Sequence, residues 1–243
     1  NDRQGETMRA IVLAAGMGTR LKPLTDGCPK CLVTLNGKAM LDYQLDALES
    51  VGIDDVVVVV GAMADQVRAH CGERVRYIEN QEFSSTNSIY SLFLASEELC
   101  DEFFLVNCDI LFDPSILKKM LKEPKGNVLA VDTKKLRVPN EMNVCFDFTG
   151  QISEISKDID PNTAQAQSVQ LIKFDMFGAQ LLKEEVARII QAKKTETFPT
   201  EAYGPIIKSS GIFKTDVSDC AWGEIDNIED YNYAINCVIP ALV

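Results

Sequence analysis

The loop between residues 13 and 30 decides how the rest of the chain is interpreted, and from Leu13 to Lys30 it reads LAAGMGTRLKPLTDGCPK. It follows Met8–Val12, a short apolar run with the length of a buried strand. Gly16 and Gly18 allow the backbone to turn tightly and to present N–H groups to an anion. The stretch therefore predicts a strand followed by a phosphate-binding loop.

Two better-known phosphate-binding loops do not fit this stretch. The dinucleotide-binding motif would need a third Gly or Ala three residues after Gly18, where the chain has Leu21. A Walker loop would need Gly, four residues and then Gly-Lys-Ser or Gly-Lys-Thr, a spacing that is absent from Gly16 onward. Arg20 and Lys30 supply the positive charge that several phosphates require, so we interpret the loop as a triphosphate site.

The composition of the 243 residues is that of one large α/β domain, with 46% hydrophobic and 25% charged residues. The formal net charge of -12 argues against nucleic acid or an anionic membrane as the main partner. The apolar runs, such as Val56–Val60, are far shorter than the roughly 18 residues of a membrane span. We therefore expect a soluble protein that binds neither nucleic acid nor membrane.

The eight cysteines are scattered and lie mostly within apolar runs, as expected of reduced thiols in a cytoplasmic protein. Cys28 and Cys31 have a spacing that occurs in redox motifs and in half of a zinc site. A zinc site would need further ligands, but the chain has no second close cysteine pair and His70 is its only histidine. A redox role for Cys28 and Cys31 is kept as an alternative.

Strand-like and helix-like segments alternate along the first half of the chain, which predicts a doubly wound, mostly parallel sheet of an α/β fold. The predicted strands of this half are 8–12, 31–35, 56–60, 75–78, 103–107 and 127–131. The predicted helices are 40–51, 64–71, 87–99 and 114–121, with Thr86 as the N-cap of the third. The second half is predicted to contain a hairpin of 142–148 and 151–156, strands 168–174 and 211–215, and helices 177–192, 199–208 and 229–238.

Two aspartates are candidates for metal binding. Asp109 directly follows the predicted strand 103–107, at the end where open α/β sheets bind ligands. Asp226 lies much later, in the segment Glu224-Ile225-Asp226. Carboxylates from two parts of the chain that meet near a triphosphate would suit a Mg²⁺ ion that keeps several waters. We therefore predict Mg²⁺ as the cofactor, held by Asp109 and Asp226.

The loop resembles the signature of the nucleotidyltransferases that join a nucleoside triphosphate to a small phosphorylated metabolite. In that family Leu-Ala-Ala-Gly-x-Gly-Thr-Arg-Leu is followed by Pro-Lys, and Pro29-Lys30 stands in that place here. The resemblance extends to Asp109 and Asp226, and it implies the Rossmann-like fold of the sugar-nucleotidyltransferase type. The nucleotide-binding residues that it implies are Leu13, Ala14, Ala15, Gly16, Met17, Gly18, Thr19, Arg20, Lys30, Gly61, Thr86, Asn87, Ser88 and Asp109.

The run Thr86–Leu92, which reads TNSIYSL, resembles a segment that faces cytosine in phosphocholine cytidylyltransferases. The amide of Asn87 can donate and accept hydrogen bonds, which suits the edge of that base. Lys157 matches a family lysine that approaches the acceptor phosphate. The resemblance implies in-line transfer of CMP from CTP to an acceptor phosphate or phosphonate, with release of pyrophosphate. Its catalytic residues would be Arg20, Lys30 and Lys157.

The second half is predicted to bind the acceptor. Phosphocholine enzymes of the family carry an aromatic residue after an Asn-Glu pair, whereas this chain has Asn140-Glu141-Met142. We therefore favour 2-aminoethylphosphonate, whose primary ammonium pairs with carboxylates, and place phosphocholine next because a quaternary ammonium prefers aromatic rings. The acceptor-binding candidates are Asp132, Glu141, Lys157, Glu201 and Trp222.

The expected organisation is a single domain over 8–243, with a nucleotide-binding half at about 8–132 and an acceptor-binding half at about 133–243. Residues 1–7 are predicted to be a flexible extension or a tag remnant. The apolar ending from Cys237 to Val243 would suit a homodimer or fusion to a further C-terminal domain.

Two further alternatives concern the function of the loop and of the two aspartates. A sugar-1-phosphate nucleotidyltransferase that uses UTP, dTTP or CTP would need the same residues. A regulatory nucleotide-binding domain without turnover belongs to another class, and the intact set of Arg20, Lys30, Asp109 and Asp226 argues against it.

Overall fold

The structure is a computed structural model that describes residues 8–242. The extension predicted for residues 1–7 lies outside the described residues. The strands of the first half are β1 (Arg9–Ala14), β2 (Thr34–Leu35), β3 (Lys38–Ala39), β4 (Asp55–Val60), β5 (Arg76–Glu79) and β6 (Phe103–Asn107). Its helices are α1 (Met40–Glu49), α2 (Ala64–Cys71), α3 (Ser88–Leu94) and α4 (Pro114–Lys122).

A parallel sheet forms around β1. Strands β4 and β6 flank it on either side, and β5 pairs with β4, all in parallel. The apolar runs of β1 and β4 are almost fully buried, which is typical of parallel strands covered on both faces. Because the strands run in one direction, their carboxyl ends, and the loops that follow them, meet at one edge.

Two predicted segments of this half are shorter than expected. The strand predicted for 31–35 is reduced to β2, because Lys30–Leu32 forms a 3₁₀ turn that buries the Lys30 side chain. The helix predicted for 87–99 ends at Leu94, and a separate 3₁₀ turn, Ser96–Glu98, follows it. The helices predicted for 40–51, 64–71 and 114–121 are confirmed with boundaries shifted by at most two residues.

The predicted N-cap of α3 was wrong by one residue. Asn87, not Thr86, precedes the helix in extended conformation, and its side-chain oxygen accepts a hydrogen bond from the Ser88 N–H at 2.7 Å. Thr86 instead donates its hydroxyl hydrogen bond to the carbonyl of Glu82 at 2.8 Å. The side-chain oxygen of Asn87 is thus used locally to begin the helix.

The remaining strands are β7 (Ile110–Phe112), β8 (Val128–Asp132), β9 (Asn143–Phe146), β10 (Ile152–Ser156), β11 (Ala166–Phe174), β12 (Phe213–Asp216) and β13 (Trp222–Glu224). The strands of the second half extend the sheet mainly through antiparallel pairs, although β12 is parallel to β8, and β7 and β13 form a separate two-stranded sheet. The strand β11 is antiparallel to β6, β8 and β9, and β9 forms the predicted hairpin with β10. The described residues therefore form a mixed sheet with a parallel core, which confirms the predicted α/β, doubly wound and mostly parallel class of fold.

The helices of this half are α5 (Met176–Gln191), α6 (Gly204–Ser209) and α7 (Ile228–Tyr233). The helix predicted for 199–208 is a 3₁₀ turn, Pro199–Ala202, followed by α6. The helix predicted for 229–238 is α7 continued by the π-helical turn Ala234–Val238. Within residues 8–242, no helix combines the length and the apolar character that a membrane crossing requires.

The short antiparallel pair of β7 and β13 was not predicted, and it positions the two aspartates. It pairs Ile110 with Glu224, and the Ile225 N–H donates to the Asp109 carbonyl at 2.9 Å. Buried Leu111 and Ile225 pack in one apolar cluster under the C-terminal helix. This pairing brings Asp109, at the end of β6, next to Asp226, more than a hundred residues later in the chain.

Candidate active site

A cleft of about 410 Å³ lies at the carboxyl ends of β1 and β6. Its lining residues are Leu13, Ala15, Gly16, Met17, Gly18, Thr19, Arg20, Lys30, Asn80, Phe83, Thr86, Asn87, Ser88, Ser91, Asn107, Cys108, Asp109, Lys157, Gln170, Phe198, Glu224 and Asp226. Of the predicted nucleotide-binding residues, the structure places all but Ala14 and Gly61 on this lining. Both of those are buried immediately behind it, where a Cβ on Gly61 would lie 2.6 Å from the Ala15 carbonyl oxygen.

The two loop glycines have different structural requirements. Gly18 adopts φ +63°, and a Cβ there would lie 2.9 Å from the Cβ of Lys30. The Thr25 hydroxyl donates to the Gly18 carbonyl at 2.8 Å and holds the turn closed. A Cβ on Gly16, by contrast, would meet no protein atom within 4 Å. Gly18 is therefore required by the fold of the loop, and Gly16 leaves open space at the cleft.

Lys30 joins the loop to both aspartates. Its largely buried ammonium donates to an Asp109 carboxylate oxygen at 2.8 Å and to an Asp226 oxygen at 2.7 Å. Burial alone lowers the pKa of Lys30, but the charges of Asp109 and Asp226 outweigh it and raise that pKa above its ordinary value. Arg20, whose side chain is 68% exposed, donates to the other Asp226 oxygen at 2.8 Å. Both predicted cations thus lie against the acids.

A third acid, Glu224, completes the group. Asp109, Glu224 and Asp226 each offer an oxygen, and these oxygens lie within 4.8 Å of one another. One oxygen of Asp109 is buried with no hydrogen-bond partner among the described residues. Burial, and then the neighbouring charges of Asp109 and Asp226, raise the pKa of Glu224 to about 8. Hard oxygen donors with an orphaned buried atom fit a divalent cation such as Mg²⁺.

The residues predicted to contact the base lie along the lining of the cleft. Asn80 is buried there and donates from its side-chain amide to Thr86 and to Ser91, at 3.2 and 3.1 Å. The side-chain nitrogen of Asn87 donates a long hydrogen bond of 3.5 Å to the Glu196 carbonyl. These contacts hold α3 against the cleft and leave its first residues facing the opening.

The predicted acceptor-binding residues do not all meet. Lys157 lines the cleft, with its ammonium 5.1 Å from the centre of the Phe198 ring. Trp222 is buried and donates its indole N–H to Asp132 at 2.9 Å. Glu141 accepts a hydrogen bond from Gln167 at 3.2 Å, and Glu201 is exposed. Asp132, Glu141, Glu201 and Trp222 are therefore absent from the lining of the cleft.

Sequence reasoning missed several lining residues. The sequence pattern could have indicated Glu224. One apolar residue separates it from Asp226, and residues two apart in an extended segment share a face. Asn107 is the last residue of β6, two positions before Asp109, and carried the same signal. No local sequence pattern indicates Gln170 or Phe198, because their position on the cleft depends on how β11 and the segment after α5 pack.

The cysteines give no support to a redox site. All eight are free thiols in the described part of the chain. Burial raises the pKa of Cys31 well above its ordinary value and also raises that of Cys28. Reactive cysteines have lowered pKa values, so Cys28 and Cys31 resemble packed thiols.

The fold and the cleft define a class of nucleotide-handling protein. The family model of the MobA-like NTP transferase domain matches residues 10–170, more than half of the chain, and the chain therefore belongs to this family. A CMP-5'-(3-aminopropyl)phosphonate synthase of Streptomyces rubellomurinus is 28% identical over 93% of this chain and 38% of its own length. A choline-phosphate cytidylyltransferase of Streptococcus pneumoniae is 39% identical over 43% of this chain and 46% of its own length.

The match thus spans less than half the length of these two curated relatives. Among solved structures, CTP:phosphocholine cytidylyltransferase from Streptococcus pneumoniae superimposes with a TM-score of 0.79 at 22% identity, covering 95% of this chain and 98% of the other. The inositol-1-phosphate CTP transferase from T. maritima gives a TM-score of 0.77 at 22% identity over 98% of this chain and 99% of the other. At 22% identity, the similarity to these two structures shows a shared fold and no more.

Proposed function

We propose that the chain is a cytidylyltransferase that transfers CMP from CTP to a small phosphate or phosphonate and releases pyrophosphate. The observation that carries the proposal is the convergence of the Gly16–Gly18 turn, Lys30, Asp109 and Asp226 on one cleft. The choice of CTP rests on the likeness to the relatives named above and on Asn87 at the lining of the cleft.

The site provides binding and charge stabilisation. The loop N–H groups and Arg20 bind the triphosphate, and Lys30 keeps Asp109 and Asp226 adjacent while adding positive charge at the base of the loop. Asp109, Glu224 and Asp226 would hold Mg²⁺, which supplies charge neutralisation of the phosphates when bound. Catalysis then depends on positioning and on electrostatic stabilisation.

No general base is needed in this reaction. An acceptor phosphate or phosphonate oxygen is already anionic at neutral pH, so it attacks the α-phosphorus without losing a proton. The only histidine, His70, pairs with Asp42 at 2.9 Å and does not line the cleft. Lys157 extends into the cleft, where its ammonium would orient the acceptor's anionic group.

Within this reaction we favour 2-aminoethylphosphonate as the acceptor, with phosphocholine next. The lining of the cleft contains two aromatic rings, Phe83 and Phe198, and Lys157 already lies over the second. A quaternary ammonium would be held best by several free ring faces, which this lining does not offer. The Streptomyces relative, whose name describes an aminoalkyl phosphonate product, supports the same choice.

A pyrophosphate-release screen tests the proposal. The four nucleoside triphosphates would each be combined with 2-aminoethylphosphonate, phosphocholine, phosphoethanolamine and hexose 1-phosphates in the presence of Mg²⁺. We expect the fastest release from CTP with an aminoalkyl phosphonate. Faster release from UTP or dTTP with a hexose phosphate would contradict the choice of CTP, and CTP binding without any release would favour a regulatory domain.

A further inference from the structure

A single residue of β11 departs from the conformation of the strand around it. Gln170 has φ +57°, in the left-handed region that a side chain with a Cβ rarely adopts. It is the only residue of the nine in β11 that is not buried. Its backbone N–H donates to the Ser168 hydroxyl at 2.9 Å, and the register with β8 shifts between Ser168 and Ile172. The strand therefore contains a bulge that turns the Gln170 side chain into the cleft.

The side-chain amide of Gln170 connects two strands of the site. Its oxygen accepts a hydrogen bond from the Asn107 amide at 2.7 Å, at the end of β6. With the oxygen engaged, the NH₂ group of Gln170 is left as the donor in the cleft that Glu224 of β13 also lines, and this amide acts to lower the pKa of Glu224. Asn107 thus fixes which way the amide points, and Gln170 presents donors to Glu224.

Glu224 needs such a partner more than the other two acids do. Lys30 lies between Asp109 and Asp226, and Arg20 also contacts Asp226. Among residues 8–242, no lysine or arginine forms an ion pair with Glu224 within 4 Å, and the cation that attracts it from farther away is Lys135. Without an anchor, repulsion from Asp109 and Asp226 would favour a rotamer of Glu224 that points away from them.

We propose that Gln170 is a positioning residue that holds the Glu224 carboxylate beside Asp109 and Asp226, so that the three acids bind a divalent cation together. The strained backbone at φ +57° accompanies the bulge that turns this side chain into the cleft. The inference deepens the proposed function and depends on it for the kinetic measurement alone. It does not depend on which acceptor is used.

Two substitutions distinguish the effect of losing the Gln170 side-chain amide from the effect of the backbone strain at that position. Gln170→Gly and Gln170→Ala both remove the amide, but glycine accepts φ +57° and alanine does not. We expect both variants to bind Mn²⁺ at least about 10-fold more weakly, measured by loss of the free Mn²⁺ signal in EPR titrations, as is typical when the partner of a metal ligand is removed. We also expect Gln170→Gly to have the higher Tm of the two.

The matched control is Lys193→Gly. Lys193 is exposed, has φ +58° and lies just after α5, outside the cleft. The Lys193→Gly substitution should relieve similar backbone strain and leave the Mn²⁺ affinity unchanged. In the pyrophosphate assay, both Gln170 variants should raise the half-saturating Mg²⁺ concentration, with a smaller change in KM for the acceptor.

Several results would overturn the inference. Wild-type Mn²⁺ affinity in either Gln170 variant would do so, and so would a wild-type protein that binds no Mn²⁺. Normal affinity in Gln170→Gly but not in Gln170→Ala would assign the effect to the backbone instead. If the wild type releases no pyrophosphate with any substrate pair, the proposed function fails, while the Mn²⁺ titrations still decide the role of Gln170.

Discussion

At the scale of single residues, Lys30 links the phosphate loop to the acids, and its removal should affect turnover strongly. Lys30→Ala leaves Asp109 and Asp226 facing each other without their shared cation. We expect kcat to fall on the order of 10²-fold or more, as is usual when a preorganised charge stabiliser is lost. The control is Lys22→Ala in the same loop, where the side chain is 61% exposed and pairs with Asp26. An unchanged kcat in Lys30→Ala, with folding checked by circular dichroism, would contradict the assigned role.

A second prediction at this scale uses the two glycines of the loop as a matched pair. Gly18→Ala combines φ +63° with a Cβ 2.9 Å from that of Lys30, so it should lower Tm and displace Lys30. Gly16→Ala meets no protein atom within 4 Å, so Tm should stay the same while the added methyl obstructs the triphosphate. Thermal melts and CTP titrations measure both effects. Equal losses of Tm in the two variants would contradict the different roles assigned to Gly16 and Gly18 in the loop.

At the scale of secondary structure elements, the part of the fold that repeats a local pattern could be predicted. The runs that became β1, β4 and β6 are continuous and apolar, and the helices between them follow the helical period. The apolar run 31–35 has the same signal as a strand, but Lys30 is drawn toward Asp109 and Asp226 and winds its start into a 3₁₀ turn. Tertiary ion pairing overrode local propensity there.

The site was predictable where its residues follow a strand or form the loop, and less so where it depends on pairing over long distances. Strand β13 has three residues and finds its partner β7 about 110 positions away, so no local pattern marks it. Glu224 enters the acid cluster only through that pairing. The bulge at Gln170 likewise lies where one edge of β11 changes partner from β9 to β6, a change that no local pattern marks.

One element-scale prediction concerns the capping box that begins α7. The Asn227 side chain accepts from the N–H groups of Glu229 and Asp230, and Asp230 accepts from the Asp226 N–H at 2.9 Å. Asn227→Ala should lower the free energy of unfolding by about 1 kcal/mol, as the loss of an N-cap usually does. Urea denaturation measures this, with Asn232→Ala on the exposed side of α7 as the control. Equal stability of Asn227→Ala and wild type would argue against the capping role.

At the scale of the whole molecule, the carboxyl and amino ends of the parallel strands have different roles. The carboxyl ends of β1 and β6 form the cleft, whereas ion pairs link the amino ends of neighbouring strands. Arg9 of β1 contacts Asp55 of β4 at 2.6 Å and Glu98 at 2.7 Å. Arg76 of β5 contacts the same two carboxylates, each at 2.8 Å. The network ties β1, β4 and β5 to the 3₁₀ turn after α3, far from the residues that line the cleft.

This network should make stability sensitive to acid. Burial tends to raise the pKa of Asp55, but hydrogen bonds from Arg9 and Arg76 lower it, and the hydrogen bond from Arg76 lowers the pKa of Glu98. A carboxyl whose pKa is lower in the folded state adds stability above its unfolded value, and this is lost as the pH falls through the folded value. We therefore expect the contribution to be complete at pH 7 and to decline below about pH 4.5.

The measurement is urea denaturation at pH 7 and at about pH 3.5 for the wild type and for the double variant Asp55→Asn, Glu98→Gln. At pH 7 the variant should be less stable, because Arg9 and Arg76 lose their charged partners. At the lower pH the difference should be smaller, since these two carboxyls are then largely protonated in the unfolded chain, and that proton binding favours unfolding of the wild type. A stability difference that stays constant between the two pH values would mean that these acids titrate normally and that the amino ends of the strands are held by packing alone.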